Sequence, residues 1–193
     1  MRVLSQRRMR SERGTAVKFA YADPPYLGCA LALYGDATYD APEAHLDLIA
    51  RLCDGYPDGW AYSLSSTTLQ TILPFCPSGS RVGAWVKPFA SFKPNVNPAY
   101  AWEPVIFRGG RRRDRKEPTA RDWHSEPITL RRGLTGAKPP GFARWIVDLL
   151  GVDFEAGDTI DDLFPGTGFM TQAFAKAQQR EFALDACVPA PFA

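Results

Sequence analysis

Four consecutive residues, Asp23-Pro24-Pro25-Tyr26, could together act on the amino group of a nucleic-acid base. The lone pair of such an amine is delocalised into the ring, so the amine reacts well only when hydrogen-bond acceptors localise that pair. Asp23 offers a carboxylate and Pro24 a rigidly held carbonyl, while the Tyr26 ring could stack on a flipped base for roughly 1–3 kcal/mol. A tight turn with a capping Asp and a buried Tyr fits the same four residues equally well.

A second candidate site is the glycine turn Asp162-Leu163-Phe164-Pro165-Gly166-Thr167-Gly168. The sequence predicts a strand before this turn and a helix after it, so the glycines would let the backbone approach a ligand at the amino end of that helix. About 20 residues further on, at the end of the next predicted strand, Asp185 could accept both hydroxyls of a ribose. Turn glycines and a solvated Asp would explain the same pattern without a ligand.

Strands and helices must position these two sites, and the hydrophobic pattern predicts that they alternate. Pro104 predicts an edge or bulged strand, because proline cannot donate a ladder hydrogen bond. The interval 109–137 lacks clear periodicity and is interpreted as a long excursion or mobile loop. The expectation is an α/β fold with a largely parallel sheet covered on both faces. Strands are predicted over 16–22, 59–65, 81–89, 99–107, 158–164 and 181–186, and helices from an Asp40 cap to Cys53 and over 67–75, 139–150 and 170–179.

The composition favours one soluble domain and argues against several other classes of protein. The chain has 193 residues, of which 45% are hydrophobic and 23% charged, which is ordinary globular usage. The four cysteines form no C-x-x-C pair, so neither a disulfide framework nor a metal site is expected. No apolar run approaches the roughly 20 residues that cross a bilayer, and the basic start lacks the apolar core of a secretory signal. The expected location is the cytoplasm of a bacterial or phage-infected cell.

The charge is nearly balanced overall, at a formal +2, but the basic residues cluster. Residues 1–16 are basic and polar and are expected to form a flexible arm. A second cluster could contact phosphates beside the expected substrate face, although a solvated loop is the alternative interpretation. Its candidate nucleic-acid-binding residues are Arg111, Arg112, Arg113, Arg115 and Lys116.

Together these motifs resemble those of the amino-methyltransferases of nucleic acids, which modify N6 of adenine or N4 of cytosine. The catalytic motif of that family, (Asp/Asn/Ser)-Pro-Pro-(Tyr/Phe/Trp), is matched by Asp23–Tyr26, and its cofactor motif, Asp-x-Phe-x-Gly-x-Gly, by Asp162–Gly168. The catalytic motif comes first, which is the circularly permuted order of the beta class. Lys138-Pro139 matches the Lys-Pro that this class places one helix before the cofactor motif. The resemblance spans residues 17–186.

The resemblance implies a seven-stranded Rossmann-like sheet whose seventh strand runs antiparallel, with S-adenosylmethionine as methyl donor. It implies that Asp162–Gly168 line the methionine and ribose of the cofactor, that Asp185 holds the ribose hydroxyls and that Lys138 closes over the methionine end. It also divides the chain into a single domain, residues 17–186, and a short tail, residues 187–193. The domain consists of a catalytic half 17–108, a basic recognition loop 109–137 and a cofactor-binding half 138–186.

The reaction that this resemblance implies is direct in-line methylation of N6 of adenine in DNA. Asp23 is more typical of adenine-specific members, and Tyr26 of those acting on DNA. Methylation of N4 of cytosine or of adenine in RNA by the same site is the nearest alternative. A catalytically idle nucleic-acid-binding subunit is the other, although such subunits typically lose the acidic residue or the glycine turn. Because the recognition loop is short, we expect weak sequence specificity, a DNA-reading partner or a homodimer.

Overall fold

A computed structural model describes residues 15–88, 96–128 and 138–186. The predicted flexible arm, except for Thr15 and Ala16, and the tail 187–193 lie outside the described residues. The strands are β1 (Lys18–Ala22), β2 (Gly59–Ser63), β3 (Arg81–Val86), β4 (Trp102–Gly109), β5 (Trp123–Ser125) and β6 (Thr159–Asp162). The helices are α1 (Ala30–Tyr34), α2 (Pro42–Gly55), α3 (Leu69–Ile72), α4 (Pro140–Leu150) and α5 (Phe169–Ala186), with single 3₁₀ turns at Thr38–Asp40, Ser66–Thr68, Leu73–Phe75 and Phe154–Ala156.

The six strands form one mixed sheet in the order β5-β3-β4-β2-β1-β6. Strand β1 is parallel to both of its neighbours, since Tyr21 pairs with Ala61 of β2 on one side and with Asp162 of β6 on the other. Their ends therefore meet at one edge of the sheet, which we call the carboxyl edge. Strand β4 is antiparallel to β2 and β3. It consequently begins at the carboxyl edge and ends at the opposite one, the amino edge.

Helices cover both faces of the sheet, as the alternation of side chains along β1 requires. Phe19 and Tyr21 pack on one face in a cluster with residues of α4 and α5, whereas Ala20 and Ala22 pack on the other in a cluster with residues of α2. All four are completely buried. A strand buried on both faces has to be apolar, which explains why the four residues after the exposed Lys18 carry no charge.

Two predicted features of the strands are wrong. Pro104 lies neither at an edge nor at a bulge, because β4 pairs with β3 and β2 in continuous register. The carbonyl of Pro104 points toward the β2 side and accepts from Leu64 N–H, so its missing N–H falls where β2 has already ended at Ser63. The excursion 109–137 is also not wholly irregular, since it contributes β5.

The strand predicted over 181–186 is wrong as well, because α5 continues without a break to Ala186. The segment from Phe169 is rich in alanine and glutamine and holds no glycine or proline that would end a helix. Asp185 therefore lies in the last turn of α5. The described residues form six strands, where the resemblance implied seven.

A buried ion pair ties the sheet together at its amino edge. The carboxylate of Asp158 is fully buried and accepts from Arg111 Nε at 2.7 Å and Nη2 at 2.5 Å. It also accepts the backbone N–H groups of Val17 and Asp153. Burial would raise the pKa of Asp158, but these donors hold it below its usual range. The pair thus joins three separate parts of the chain.

Replacing Asp158 with alanine should lower the free energy of unfolding by about 3–5 kcal/mol, because a mostly buried guanidinium would lose its partner. For a domain of this size the melting temperature should fall by roughly 10 °C, which calorimetry would measure. Asp122→Ala is the matched control. It breaks the Arg81–Asp122 pair, whose side chains are 66% and 55% exposed, and should cost less than about 1 kcal/mol. Equal losses in the two variants would contradict the structural role of Asp158.

Candidate active site

The two motifs found in the sequence meet at the carboxyl edge. Asp23 directly follows the last residue of β1, and the two prolines after it end that strand because neither can donate a ladder hydrogen bond. Asp162 ends β6 beside it, so the glycine turn starts next to the Asp23–Tyr26 segment. In open α/β sheets, ligands bind at this edge. The fold therefore brings together motifs that are far apart in the chain.

Lys138 lies against the Asp23–Tyr26 segment. Its ammonium nitrogen is 3.1 Å from Asp23 Oδ1, 3.0 Å from Asp23 Oδ2 and 2.9 Å from the hydroxyl of Tyr26. The side chain of Lys138 is only 5% exposed, whereas that of Asp23 is 21% exposed. One ammonium group thus fixes both polar side chains of the motif, and part of the Asp23 carboxylate stays accessible.

Glu103 completes the cluster, and sequence reasoning missed it. Its Oε2 accepts the Tyr26 hydroxyl at 2.8 Å and lies 3.4 Å from Lys138 Nζ, while its Oε1 is 2.9 Å from Lys87 Nζ. Glu103 reaches this edge only because β4 begins there. The signal that could have revealed it is a single acidic residue at the start of an apolar strand, since acidic residues are rarely buried without a partner.

Aromatic rings surround the ammonium group of Lys138. Its nitrogen lies 5.3 Å from the ring centre of Tyr26, 5.7 Å from that of Trp85 and 5.9 Å from that of Phe142. Ring faces attract cations, and they do so more strongly away from water. Beneath them, the buried hydroxyl of Tyr21 is 2.8 Å from that of Ser63. The ion-paired groups of the cluster thus lie against aromatic side chains.

The two carboxylates of the cluster differ in acidity. Burial would raise the pKa of Glu103, but Lys138 and Lys87 lower it to about 2. Burial raises the pKa of Asp23, and the attraction of Lys138 only partly offsets that rise. Burial alone would lower the pKa of Lys138, but Asp23 and Glu103 raise it above its usual value. Glu103 is thus the stronger acid of the two carboxylates, and Asp23 is the weaker one.

The glycine turn leaves its backbone open to a ligand. Gly166 and Gly168 have φ values of +47° and +76°, and a Cβ built on either would meet nothing closer than 3.7 Å. Asp162 accepts from Phe164 N–H at 3.3 Å and from the Thr171 hydroxyl at 2.8 Å. These contacts join the end of β6 to the start of α5, where free backbone N–H groups suit polar or anionic ligand groups. The turn therefore fits a nucleotide-like cofactor.

The predicted nucleic-acid-binding residues lie elsewhere. Gly109 pairs with Gly59, the first residue of β2, so the basic segment that follows leaves from the amino edge. The expectation that it borders the substrate face is wrong, because β4 runs antiparallel and carries the chain away from Asp23. Arg111 is bound to Asp158, and Arg113 donates to two backbone carbonyls. The side chains of Arg112, Arg115 and Lys116 are exposed.

Asp185 does not lie in the kind of element that was expected for the ribose acceptor. The ribose acceptor was expected at the end of a strand, and this residue lies in a helix.

Within residues 15–88, 96–128 and 138–186, no group of histidine, cysteine, aspartate and glutamate side chains could hold a metal ion. None of the helices in these ranges has the length and apolar character of a membrane span.

Comparison with known proteins finds solved structures with a similar fold, but no match to the sequence among family models or curated proteins. No family model matches the sequence, and no curated protein matches it. The complex of M1.HpyAVI with SAM matches at a TM-score of 0.53 and 15% identity, over 91% of this chain and 85% of that chain. M1.HpyAVI on its own matches at 0.52 and 14% identity, over 89% and 81%. TTHA0409 of Thermus thermophilus, complexed with S-adenosyl-L-methionine, matches at 0.48 and 17% identity, over 95% and 94%. The chain thus has the fold of M1.HpyAVI.

Proposed function

We propose that this chain is an S-adenosylmethionine-dependent methyltransferase that modifies the exocyclic amino group of a base in DNA, at N6 of adenine. The observation that carries the proposal is the meeting of Asp23 and Tyr26 with the open glycine turn Asp162–Gly168 at one sheet edge. The permuted motif order of the beta class and the fold shared with M1.HpyAVI, which was crystallised with SAM, support it.

Asp23 and Pro24 would accept the two hydrogens of the amine and so direct its lone pair out of the ring plane. A carboxylate has about four lone-pair positions, so Asp23 can bind the substrate on its exposed side while Lys138 holds the other. Tyr26 would stack on the flipped base, and its hydroxyl bonds to Glu103 and Lys138 fix the orientation of its ring. The acceptor base would therefore meet groups that are already in place.

The Asp162–Gly168 turn would hold the cofactor, which supplies an electrophilic methyl group when bound. The amine nitrogen would accept this methyl group, with the sulfur of the cofactor as the leaving group, and one N–H proton would then have to leave. Asp23 is suited to take up this proton because burial raises its pKa. Glu103 is unsuited because its pKa is about 2. The ribose acceptor is left unassigned, since Asp185 does not end a strand.

Incubation with labelled S-adenosylmethionine and a mixture of DNA and RNA should yield labelled N6-methyladenine in the DNA. Nucleoside analysis by mass spectrometry identifies the product. Label in N4-methylcytosine would show that cytosine is the acceptor, and label in RNA would show that RNA is the substrate. An absence of product, together with no cofactor binding in calorimetry, would contradict it and indicate the idle nucleic-acid-binding subunit.

A further inference from the structure

Four charged side chains at the carboxyl edge form a row in which cations and anions alternate, from Lys87 through Glu103 and Lys138 to Asp23. The Lys87 ammonium nitrogen is 2.9 Å from Glu103 Oε1, Glu103 Oε2 is 3.4 Å from Lys138 Nζ, and Lys138 Nζ is 3.0 Å from Asp23 Oδ2. Between 5% and 21% of each side chain is exposed, so water screens these charges only weakly. A change at one end of the row should therefore be felt at the other.

Lys87, at the outer end of the row, is held in place by the rest of the protein. Its backbone N–H donates to the carbonyl of Ala101 at 2.8 Å, and its ammonium nitrogen lies 5.4 Å from the ring centre of Trp85. The indole N–H of Trp85 in turn donates to the carbonyl of Glu126 at 2.9 Å. The position of this cation is thus set by β3 and its neighbours, independently of the Asp23–Tyr26 segment.

Glu103 divides its two oxygens between the two sides of the row. Oε1 faces Lys87, while Oε2 accepts the Tyr26 hydroxyl at 2.8 Å and lies 3.4 Å from Lys138. Lys138 lies closer to the other side, at 2.9 Å from that hydroxyl and 3.0 Å from Asp23 Oδ2. If Lys87 were removed, both Glu103 oxygens would be free to turn onto Lys138, because a buried carboxylate that has lost a partner is unfavourable. That turn would draw the ammonium group away from Asp23 and take the acceptor from the Tyr26 hydroxyl.

We propose that Lys87 is a positioning residue for methyl transfer. By holding one oxygen of Glu103, it keeps the other on Tyr26 and leaves the Lys138 ammonium group on Asp23. The orientation of the Tyr26 ring and the hydrogen bonds of Asp23 then depend on a lysine that acts through Glu103. The role in methyl transfer rests on the proposed function, whereas the contacts that Lys87 controls can be measured without the reaction.

The acidity of Asp23 reports these contacts in the absence of substrate. Burial raises the pKa of Asp23, and Lys138 opposes that rise. Lys87→Met should therefore raise the pKa of Asp23 further, by about 1, since a nearby opposite charge lowers a carboxyl pKa by roughly 1–3 and would now lie further away. Carbon-13 NMR titration of the Asp23 carboxyl in the full chain would measure the change. Lys18→Met is the matched control, because it removes an ammonium group that is 60% exposed and paired with Asp161, and it should leave the pKa of Asp23 unchanged.

A double variant shows whether Lys87 acts through Glu103. Glu103→Gln removes the carboxylate that Lys87 holds, so adding Lys87→Met should leave the pKa of Asp23 close to its value in Glu103→Gln alone. The double variant keeps one cation and one anion in the row, so it should fold even if Lys87→Met does not, which circular dichroism would verify. A rise in the pKa of Asp23 that is as large in the Glu103→Gln background would show a direct effect and overturn the proposal.

In single-turnover kinetics, Lys87→Met should lower the rate of methyl transfer about tenfold, because small displacements of positioned groups cost up to roughly a hundredfold. Binding of S-adenosylmethionine in calorimetry should not change, and Lys87→Arg, which keeps the cation, should restore most of the rate. The proposal is also overturned if Lys87→Met leaves the pKa of Asp23 or the rate unchanged, or if Lys18→Met shifts that pKa equally. The expected change in pKa in a chain that methylates nothing would support the contacts of Lys87 and contradict only the proposed function.

Discussion

Asp23→Ala should slow methyl transfer about a thousandfold, the upper range for removal of one preorganised polar group from an active site. The alanine accepts no hydrogen bond from the substrate amine, so its lone pair stays in the ring. Binding of S-adenosylmethionine should change little, because the glycine turn lies on β6 and α5. Single-turnover kinetics with labelled cofactor would measure the rate, and calorimetry the binding.

Two further replacements show which property of the motif matters. Asp23→Asn keeps an acceptor oxygen but loses the charge that Lys138 neutralises, so its rate should fall between those of the alanine variant and the unaltered chain. Asp47→Ala, at an exposed position of α2, is the control for the loss of a carboxylate and should be fully active. Full activity in both Asp23→Ala and Tyr26→Ala would remove this segment from the chemistry.

Lys138→Met should lower kcat/KM at neutral pH about a hundredfold and move the acidic limb of its pH profile upward. Burial and Glu103 raise the pKa of Asp23, whereas Lys138 lowers it. Without the lysine, Asp23 would stay protonated to a higher pH and could not accept a hydrogen bond from the amine through both oxygens. Because Asp23 acts only when ionised, activity should recover in part as the pH rises. An unshifted profile would contradict this role for Lys138.

A double variant separates this effect from a loss of folding. Two lysines face two carboxylates in the cluster, so Lys138→Met alone leaves an excess buried negative charge and should destabilise the fold by about 3–5 kcal/mol. Adding Glu103→Gln restores the balance of charge in the cluster, because one lysine, Lys87, and one carboxylate, Asp23, then remain. Denaturant unfolding should therefore find the double variant more stable than Lys138→Met. A double variant that is less stable would show that the ion pairs do not govern the stability here.

Sequence alone indicated the parts of the candidate site that are local in the chain. The Asp23–Tyr26 segment and the glycine turn are each a few consecutive residues with distinctive chemistry, and the strand before Asp23 could be predicted from a short apolar run. The sequence predicted a largely parallel sheet, but the meeting of the two motifs at one edge required the fold. Lys138 was identified by resemblance, but its contact with Asp23 required the fold.

The other half of the cluster depends on strand direction, which a local pattern does not encode. Glu103 lies at the site because β4 runs antiparallel, and the same reversal takes the basic segment after Gly109 to the far edge. The predicted strand over 181–186 failed for a different reason. Apolar residues spaced there suit a strand or a helix, and the helix that was already under way continued because nothing in the sequence ended it.

The two halves of the site are attached to parts of the sheet that differ in local stability. Strand β1, which carries Asp23, is hydrogen-bonded on both sides and covered on both faces. Strand β6, which carries the glycine turn, has only β1 as a neighbour among the described residues, and Pro165, Gly166 and Thr167 at the tip of the turn are exposed. Segments with few buried contacts open at lower free energy than the centre of a sheet. The methyl acceptor would thus be held beside the more stable strand, β1, and the methyl donor beside the less stable strand, β6. Local opening at β6 would release spent cofactor without moving the Asp23 carboxylate.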